Sequence, residues 1–343
     1  MTHVTNDIQE CANYLLKGGL VAFPTETVYG LGANIYDTNA LQKIFKYKNR
    51  PFSNPLIVHI HSFNQINELV NLTNQQIDTI KTVTDKLWPG PLTLILPKSK
   101  LINELVSGGT GYVGIRIPAN EVAIEFLKKC NCPIAAPSAN KYCHVSSTKE
   151  SHVFDDFKSL PIKILKNSIE NDNFSVGIES TIIQIDFENS NIYFLRPGFV
   201  TKNMLYSVLK YEKNLLNFSF IERYDNINTP GSNKTHYAIN KETYLLETDC
   251  EISLGNDTSF IDFGSNYKDS NIKFYYTMSE SANFLEAMQN IYDLLHEIEK
   301  NETKNLIIYL PRVDNQFYNS LYNRIIKCCS GNVMKKGYGI GKN

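Results

Sequence analysis

Residues 23–60 read FPTETVYGLGANIYDTNALQKIFKYKNRPFSNPLIVHI, and this stretch decides the fold class. Just before and into it, Leu20 to Phe23 is a short apolar run of buried-strand type. Residues 39–47 then place Leu41, Ile44 and Phe45 on one helical face. Pro51 and Pro55 force an extended path into a second apolar run, Leu56-Ile57-Val58-His59-Ile60. Strand, helix and strand in that order point to an α/β protein. Between the strands lie the hydroxyls of Thr25 and Thr27, the cations Lys46, Lys48 and Arg50, the amide of Asn54 and the imidazole of His59. Few structural needs call for that mixture, whereas a site for an anionic ligand does.

Outward from there the same alternation continues. Upstream, Ile8, Cys11, Ala12, Leu15 and Leu16 have helical spacing and stop at Gly18-Gly19. Downstream, residues 65–87 predict one or two helices with a start at Thr73-Asn74, and Trp88-Pro89-Gly90-Pro91 breaks them. Strands are predicted over residues 92–96, 112–117, 134–136, 181–185 and 192–195, with a helix over 121–129 and a flexible loop at 107–111. The βαβ rhythm is imperfect, so a mixed sheet is expected. From about 211 to 240 the apolar pattern thins, and Thr229-Pro230-Gly231-Ser232-Asn233 reads as turn or linker. A simpler alternation follows. Strands are predicted at 259–263, 274–278 and 306–310, with a helix over 282–299 that turns Leu285, Met288, Ile291, Leu295 and Ile298 inward and a last helix over 317–329. The organisation expected is a domain at 1–212, a linker at 213–240 and a small, plausibly parallel α/β domain at 241–343.

Composition removes several classes. With 343 residues, 42% of them hydrophobic, and a formal net charge of −1, the chain can build two cores and has no global basic field for nucleic acid. No apolar run approaches the roughly 18 residues of a membrane span, and the N-terminus lacks the basic start and apolar block of a signal peptide. A soluble, cytoplasmic protein is expected. The seven cysteines are scattered. Cys130-x-Cys132 and Cys328-Cys329 have no partner pair at zinc spacing, so buried thiols rather than metal ligands are expected.

Lys48-x-Arg50 leaves a helix, Ser138-x-Asn140 follows a strand, and Arg116 and Arg196 each close a strand-like run. Singly, each has an ordinary reading: a basic helix end complements the dipole, and Ser-Ala-Asn is turn chemistry. Together they suggest convergence, because ligands bind at strand ends in α/β sheets and Arg offers a planar fork to phosphate or carboxylate. There is no glycine-rich phosphate loop, nucleophile elbow or HExxH motif. His59 taken alone reads as a core histidine, and Thr25 and Thr27 as a helix cap with Glu26 in its first turn.

At this point the chain resembles a family. FPTETVYGLGANIYD, Lys48-x-Arg50 with Asn54-Pro55-Leu56-Ile57-Val58-His59, PGPLTLIL, VGIRIPAN, APSAN, GIEST and LRPG occur in the order seen in YrdC/Sua5 proteins. Pro230-Gly231 with His236-Tyr237-Ala238 is similar to the linker of the long, Sua5-type members, and the helices after it resemble those of their extra domain. The resemblance implies a YrdC-like twisted mixed sheet with helices, plus a smaller Rossmann-like C-terminal domain. It implies an L-threonylcarbamoyladenylate synthase, a nucleotidyltransferase that uses L-threonine, bicarbonate and ATP with Mg²⁺ and releases pyrophosphate. A downstream transferase then modifies adenosine 37 of tRNA, and RNA binding by this chain itself is expected to be weak.

Carried over by motif, Thr27, His59, Arg116, Ser138 and Ser180 match threonine positions, with Arg116 the carboxylate partner. Lys48 and Arg50 match catalytic positions. Arg50, Asn54, Tyr112, Asn140, Ser146, Arg196 and Tyr237 match the ATP side, Tyr237 being the linker residue that closes over ATP. No protein-bound metal site is implied. Three departures stand out. Tyr112 replaces the usual Thr. Tyr142-Cys143 replaces a Ser-Gly pair. Asn233-Lys234-Thr235 replaces Lys-Tyr-Arg. On this reading Arg116→Ala removes threonine dependence and leaves the fold intact. Two other readings are a nucleic-acid module and the carbamoyl-transfer chemistry of hydrogenase maturation. The first is disfavoured by the near-neutral charge, the second by the absence of a Cys-x-x-Cys array.

Overall fold

The computed structural model describes residues 1–168, 175–223, 236–248, 252, 254–268 and 270–334. The expected turn at 229–233 and the Asn233-Lys234-Thr235 change lie outside these residues. The chain forms two compact units. The first holds residues 1–142, 147–168, 175 and 179–223; the second holds 143–146, 176–178 and the described residues from 236 onward.

The first unit opens with β1 (His3–Thr5), α1 (Ile8–Leu16), β2 (Leu20–Phe23), β3 (Gly30–Asn34), α2 (Thr38–Lys48) and β4 (Ile57–His59). It continues through α3 (Ile66–Leu69), α4 (Asn74–Leu87), β5 (Leu92–Pro97), α5 (Glu104–Ser107), β6 (Tyr112–Arg116), α6 (Glu121–Cys130) and β7 (Ile134–Ala136). It ends with α7 (Glu150–Phe157), β8 (Ile162–Leu165), β9 (Thr181–Asp186), β10 (Asn191–Arg196), α8 (Lys202–Leu209) and β11 (Ser219–Glu222). The strands make one sheet in the order β1-β8-β2-β3-β7-β4-β6-β5-β9-β10-β11. Parallel pairs such as β4 with β6 alternate with antiparallel ones such as β4 with β7, the mixed sheet expected from the imperfect rhythm.

Local chemistry sets the helix ends. Asp7 and Asp37 accept the Glu10 and Ala40 amides at the starts of α1 and α2. Thr73 and Gln76 form a capping box on α4, at the start read from sequence. The loop expected at 107–111 follows the short helix α5, which takes in only its first residue, Ser107. Strand β11 carries the sheet into the stretch expected as linker, pairing parallel with β10.

The two faces of the sheet are covered unequally. Alternate residues Ala22, Leu31, Val58, Ile115, Ile183 and Phe194 join the larger core with Leu41 and Ile44 of α2 and Ile80 and Val83 of α4. On the opposite face α1 and α6 cover Val21, Phe23, Ile134 and Ala136. Further along that face the apolar cluster shrinks to Ile95, Ile182 and Leu195. The strip between is where buried polar groups collect.

The second unit is a parallel sheet in the order β12 (Glu242–Leu246), β15 (Asn305–Tyr309), β13 (Thr258–Asp262), β14 (Phe274–Thr277), with helices α9 (Phe284–Lys300) and α10 (Tyr318–Cys328). Asn283 caps α9 through the Leu285 and Glu286 amides. The inward face of α9 carries Met288, Ile291, Leu295 and Ile298 as expected, but Leu285 is 38% exposed and Phe284 and Ala287 are buried in its place. The register of a helix face is fixed by what packs under it, and a single apolar residue at the first turn does not define it. The described cysteines are free thiols, five of them buried. No helix among the described residues is long and apolar enough to cross a membrane.

Candidate functional site

Strand register assembles the site. Parallel pairing of β4 and β6 sets His59 opposite Arg116. Their neighbours Val58 and Ile115 point into the larger core, so His59 and Arg116 share the other face. Thr93 lies opposite Ile182 in the parallel pair of β5 and β9, and Ser180 precedes β9 on the same side. Arg196 would follow Phe194 into the larger core in a regular strand. A register shift between Phe194 and Arg196 re-aims it, the usual effect of a bulge.

Arg116 is 3% exposed, and its guanidinium makes three contacts. Its Nη2 meets Glu26 Oε1 at 2.5 Å, Nη1 donates to Thr27 Oγ1 at 2.9 Å and Nε to the Gly90 carbonyl at 3.3 Å. Glu26, with no exposed surface, is therefore part of the site although sequence reasoning missed it. The helix-cap reading of Thr25 and Thr27 is corrected. Thr25 Oγ1 lies 2.8 Å from Thr27 Oγ1 and accepts the Thr27 and Val28 amides, a hydroxyl-closed turn leading into β3. His59 stands edge-on to Phe23, with Nδ1 3.2 Å from the Ile57 carbonyl. Burial, then the Arg116 charge, pull its imidazole down to about 3, so it is neutral.

Beside this group, Arg196 donates through Nε to the Ser180 carbonyl at 3.0 Å and through Nη2 to Ser180 Oγ at 3.1 Å. Ser180 Oγ shares a further hydrogen bond with Thr93 Oγ1 at 2.8 Å. Thr93, buried in an apolar strand, gave no sequence signal. The turn after β10 packs tightly against β9: a Cβ on Gly198 would fall 2.5 Å from the Thr181 amide nitrogen.

A second group forms at the C-terminus of α2. Lys48, only 1% exposed, donates its Nζ to the Ser138 carbonyl at 2.7 Å and to the Asn140 carbonyl. It is thus a buried tether for the loop after β7, beyond what a dipole-complementing surface cation does. Arg50 donates to the carbonyls of Asn54 and Pro55 at 3.2 and 2.8 Å. Asn54 Nδ2 donates to the Tyr142 hydroxyl at 2.6 Å, and the Arg50 guanidinium carbon lies 6.0 Å from the Tyr142 ring centre. Ser138 is half-buried and bridges to Gly30, while Asn140 is 1% exposed.

Thr27, His59, Arg116, Ser180 and Arg196 thus meet on one sheet face, and Lys48, Arg50, Asn54, Ser138 and Asn140 around the end of α2. Tyr112 opens β6 while Arg116 closes it, and its side is 43% exposed. Ser146 and Tyr237 belong to the second unit. Ser146 accepts the His296 Nε2 proton on its carbonyl at 3.1 Å. Tyr237 has no exposed surface and packs among His236, Tyr292 and Arg324. Among the described residues, no three His, Cys, Asp or Glu side chains are grouped to hold a metal ion.

Residues 13–198 match the Sua5/YciO/YrdC family model, described as "Telomere recombination". Residues 200–330 match "Threonylcarbamoyl-AMP synthase, C-terminal domain". The threonylcarbamoyl-AMP synthase of Pyrococcus abyssi is 38% identical over 240 residues, covering 70% of this chain and 68% of that protein. The Bacillus subtilis enzyme of the same name is 38% identical over 240 residues, with 68% and 65% covered. The Schizosaccharomyces pombe enzyme is 33% identical over 255 residues, with 66% and 60% covered, so this chain spans less than two thirds of those two relatives. The structure of P. abyssi Sua5 complexed with L-threonine superposes with a TM-score of 0.80 at 26% identity, covering 97% of this chain and 99% of that one. With family models matched over both parts of the sequence and a relative 38% identical over 240 residues, the chain belongs to the Sua5/YciO/YrdC family, in the two-domain form that carries the threonylcarbamoyl-AMP synthase C-terminal domain.

Proposed function

We propose that this chain makes threonylcarbamoyl-AMP and pyrophosphate from L-threonine, bicarbonate and ATP. Bicarbonate yields CO₂ and hydroxide, and the threonine amine adds to CO₂ and loses a proton, which completes a water molecule. A carbamate oxygen then attacks the α-phosphorus of ATP, the bond to the bridging oxygen breaks, and pyrophosphate leaves. The chemistry needs no covalent nucleophile; it needs aligned reactants and neutralised charge. The product is the activated group that a separate transferase places on adenosine 37 of tRNA, which puts the chain in the cytoplasm. Mg²⁺ enters on the triphosphate as part of the substrate.

One observation carries the reading. Lys48, Arg50, Arg116 and Arg196 are each no more than 9% exposed, in a single compact unit. Burying cations is costly unless anions or strong acceptors meet them; here Glu26, two hydroxyls and backbone carbonyls take part of their donors, and a site for a carboxylate and a triphosphate accounts for four being gathered in one unit. In this reading Arg116, Thr27, His59, Ser138 and Ser180 hold threonine. Lys48, Arg50, Asn54, Asn140 and Arg196 serve the nucleotide, with Tyr112, Ser146 and Tyr237 contributing from the remaining motif positions. Pyrophosphate release should fall to background when threonine or bicarbonate is omitted. Equal release without threonine would make the chain an ATP hydrolase instead.

His59 gives a stability prediction with a definite sign. Its proton affinity in the folded state is depressed to about 3 from the ordinary 6.5. The unfolded state therefore binds the extra proton, and stability drops as pH falls from 6.5 toward 3. Urea unfolding should show His59→Gln losing less stability than wild type across that window, by about 1.4 kcal/mol per pH unit. Parallel curves for the two proteins would mean that His59 stays accessible to protons when folded.

A further inference from the structure

The sequence departs from its family pattern at Tyr142, where a small serine is usual, and the structure gives that departure a consequence. Tyr142 is half-buried, its amide bonds the Lys48 carbonyl at 3.0 Å, and its side chain reaches back over the end of α2. There its hydroxyl oxygen takes the Asn54 amide proton at 2.6 Å, and its ring lies 6.0 Å from the Arg50 guanidinium. A serine at this position ends at its Oγ, several bonds short of a phenol oxygen, so this contact belongs to the tyrosine. The next residue, Cys143, holds φ at +65°, a left-handed conformation that a non-glycine side chain adopts at some cost. That conformation suits the glycine of the family pattern, and here a cysteine carries it beside the larger tyrosine.

We propose that Tyr142 sets the affinity of the nucleotide site, as an internal stand-in that occupies the Asn54 amide and the Arg50 face until ATP displaces it. The proposal rests on the reading that Asn54 and Arg50 face ATP. In this proposal the phenol and a nucleotide oxygen compete for the same one of the two Asn54 N–H donors, and an aromatic ring and a phosphate compete for one side of the Arg50 guanidinium. Nucleotide binding therefore has to break an existing hydrogen bond, which weakens the apparent affinity by the population of the occupied state.

The test is calorimetric titration of the full-length protein with α,β-methylene ATP and Mg²⁺, in wild type, Tyr142→Phe and Tyr142→Ser. Removing only the hydroxyl should tighten nucleotide binding roughly fivefold, the worth of one net hydrogen bond. Tyr142→Ser should tighten it at least as much, and L-threonine affinity should stay unchanged in both. Unchanged or weaker nucleotide binding in Tyr142→Phe would overturn the proposal, the weaker case identifying the phenol as a nucleotide contact. Asn54→Ala in the wild-type and Tyr142→Phe backgrounds separates the two levels of the argument. If the tightening from Tyr142→Phe vanishes when Asn54 is absent, and Asn54→Ala weakens binding, the competition is established. If Asn54→Ala leaves nucleotide affinity untouched in both backgrounds, the assignment of Asn54 to ATP fails and the stand-in role fails with it.

Discussion

Replacing Arg116 by alanine is expected to abolish threonine-dependent pyrophosphate release and, at the same time, to destabilise the first unit by roughly 3–5 kcal/mol. The second half of that result departs from the sequence-based expectation of an intact fold, and the reason is Glu26. Its carboxylate has no exposed surface and lies 2.5 Å from Arg116 Nη2. Deleting the guanidinium leaves a buried charge without its counterion, and also removes the donors to Thr27 and to the Gly90 carbonyl. Loss of activity in Arg116→Ala alone would therefore confound binding with stability. Arg116→Lys separates them. It keeps a cation for Glu26 but one ammonium cannot reach three acceptors with a fork's geometry. Its unfolding midpoint in urea should stay near wild type while KM for threonine rises on the order of a hundredfold, a loss comparable to a buried charge-assisted contact. A lysine variant with normal threonine dependence would remove Arg116 from the substrate site, whatever the alanine variant does.

The pair also marks the boundary of what the sequence discloses. Apolar runs announced β2, β4, β5 and β9, because buried strands must be continuous in hydrophobicity when both faces are covered. The cations were legible for the opposite reason, since Arg and Lys are conspicuous beside such runs. Glu26 was not legible. An acid between two threonines after a proline reads as a helix start, and its partner lies on another strand. Strand β3 was obscured by Gly30 and Gly32, residues depleted in strands. Packing explains them: a Cβ on Gly32 would sit 2.8 Å from Ile134 Cγ2 and 2.9 Å from Phe23 Cε1. The edge strand β1 and its neighbour β8 span three and four residues, too short for a periodic signal. The turn of Arg196 toward Ser180 depends on a bulge that leaves no mark in composition.

Lys48 is the residue for which sequence and structure give the most different accounts, and its substitution should have the second large effect. From sequence it is a catalytic cation at a helix end. In the fold it is 1% exposed and ties the Ser138 and Asn140 carbonyls to α2. Lys48→Met keeps most of the apolar stem but removes the ammonium, leaving two carbonyls short of a charged donor. Hydrogen bonds to charged groups contribute about 1.5–3 kcal/mol each, so a loss of roughly 2–4 kcal/mol in unfolding free energy is expected after partial relaxation. The loop also presents Ser138 and Asn140, one from each half of the proposed site. If Lys48 acts by holding that loop, threonine and ATP affinities fall together, and kcat/KM drops by about 100-fold or more. If it acts on phosphate alone, ATP affinity and kcat fall while threonine affinity, measured without nucleotide, is preserved. Lys48→Arg should restore neither affinity, because the larger planar guanidinium does not fit the buried space that a single ammonium fills between the two carbonyls. Threonine titration of Lys48→Met in the absence of ATP therefore decides between a tether and a phosphate ligand.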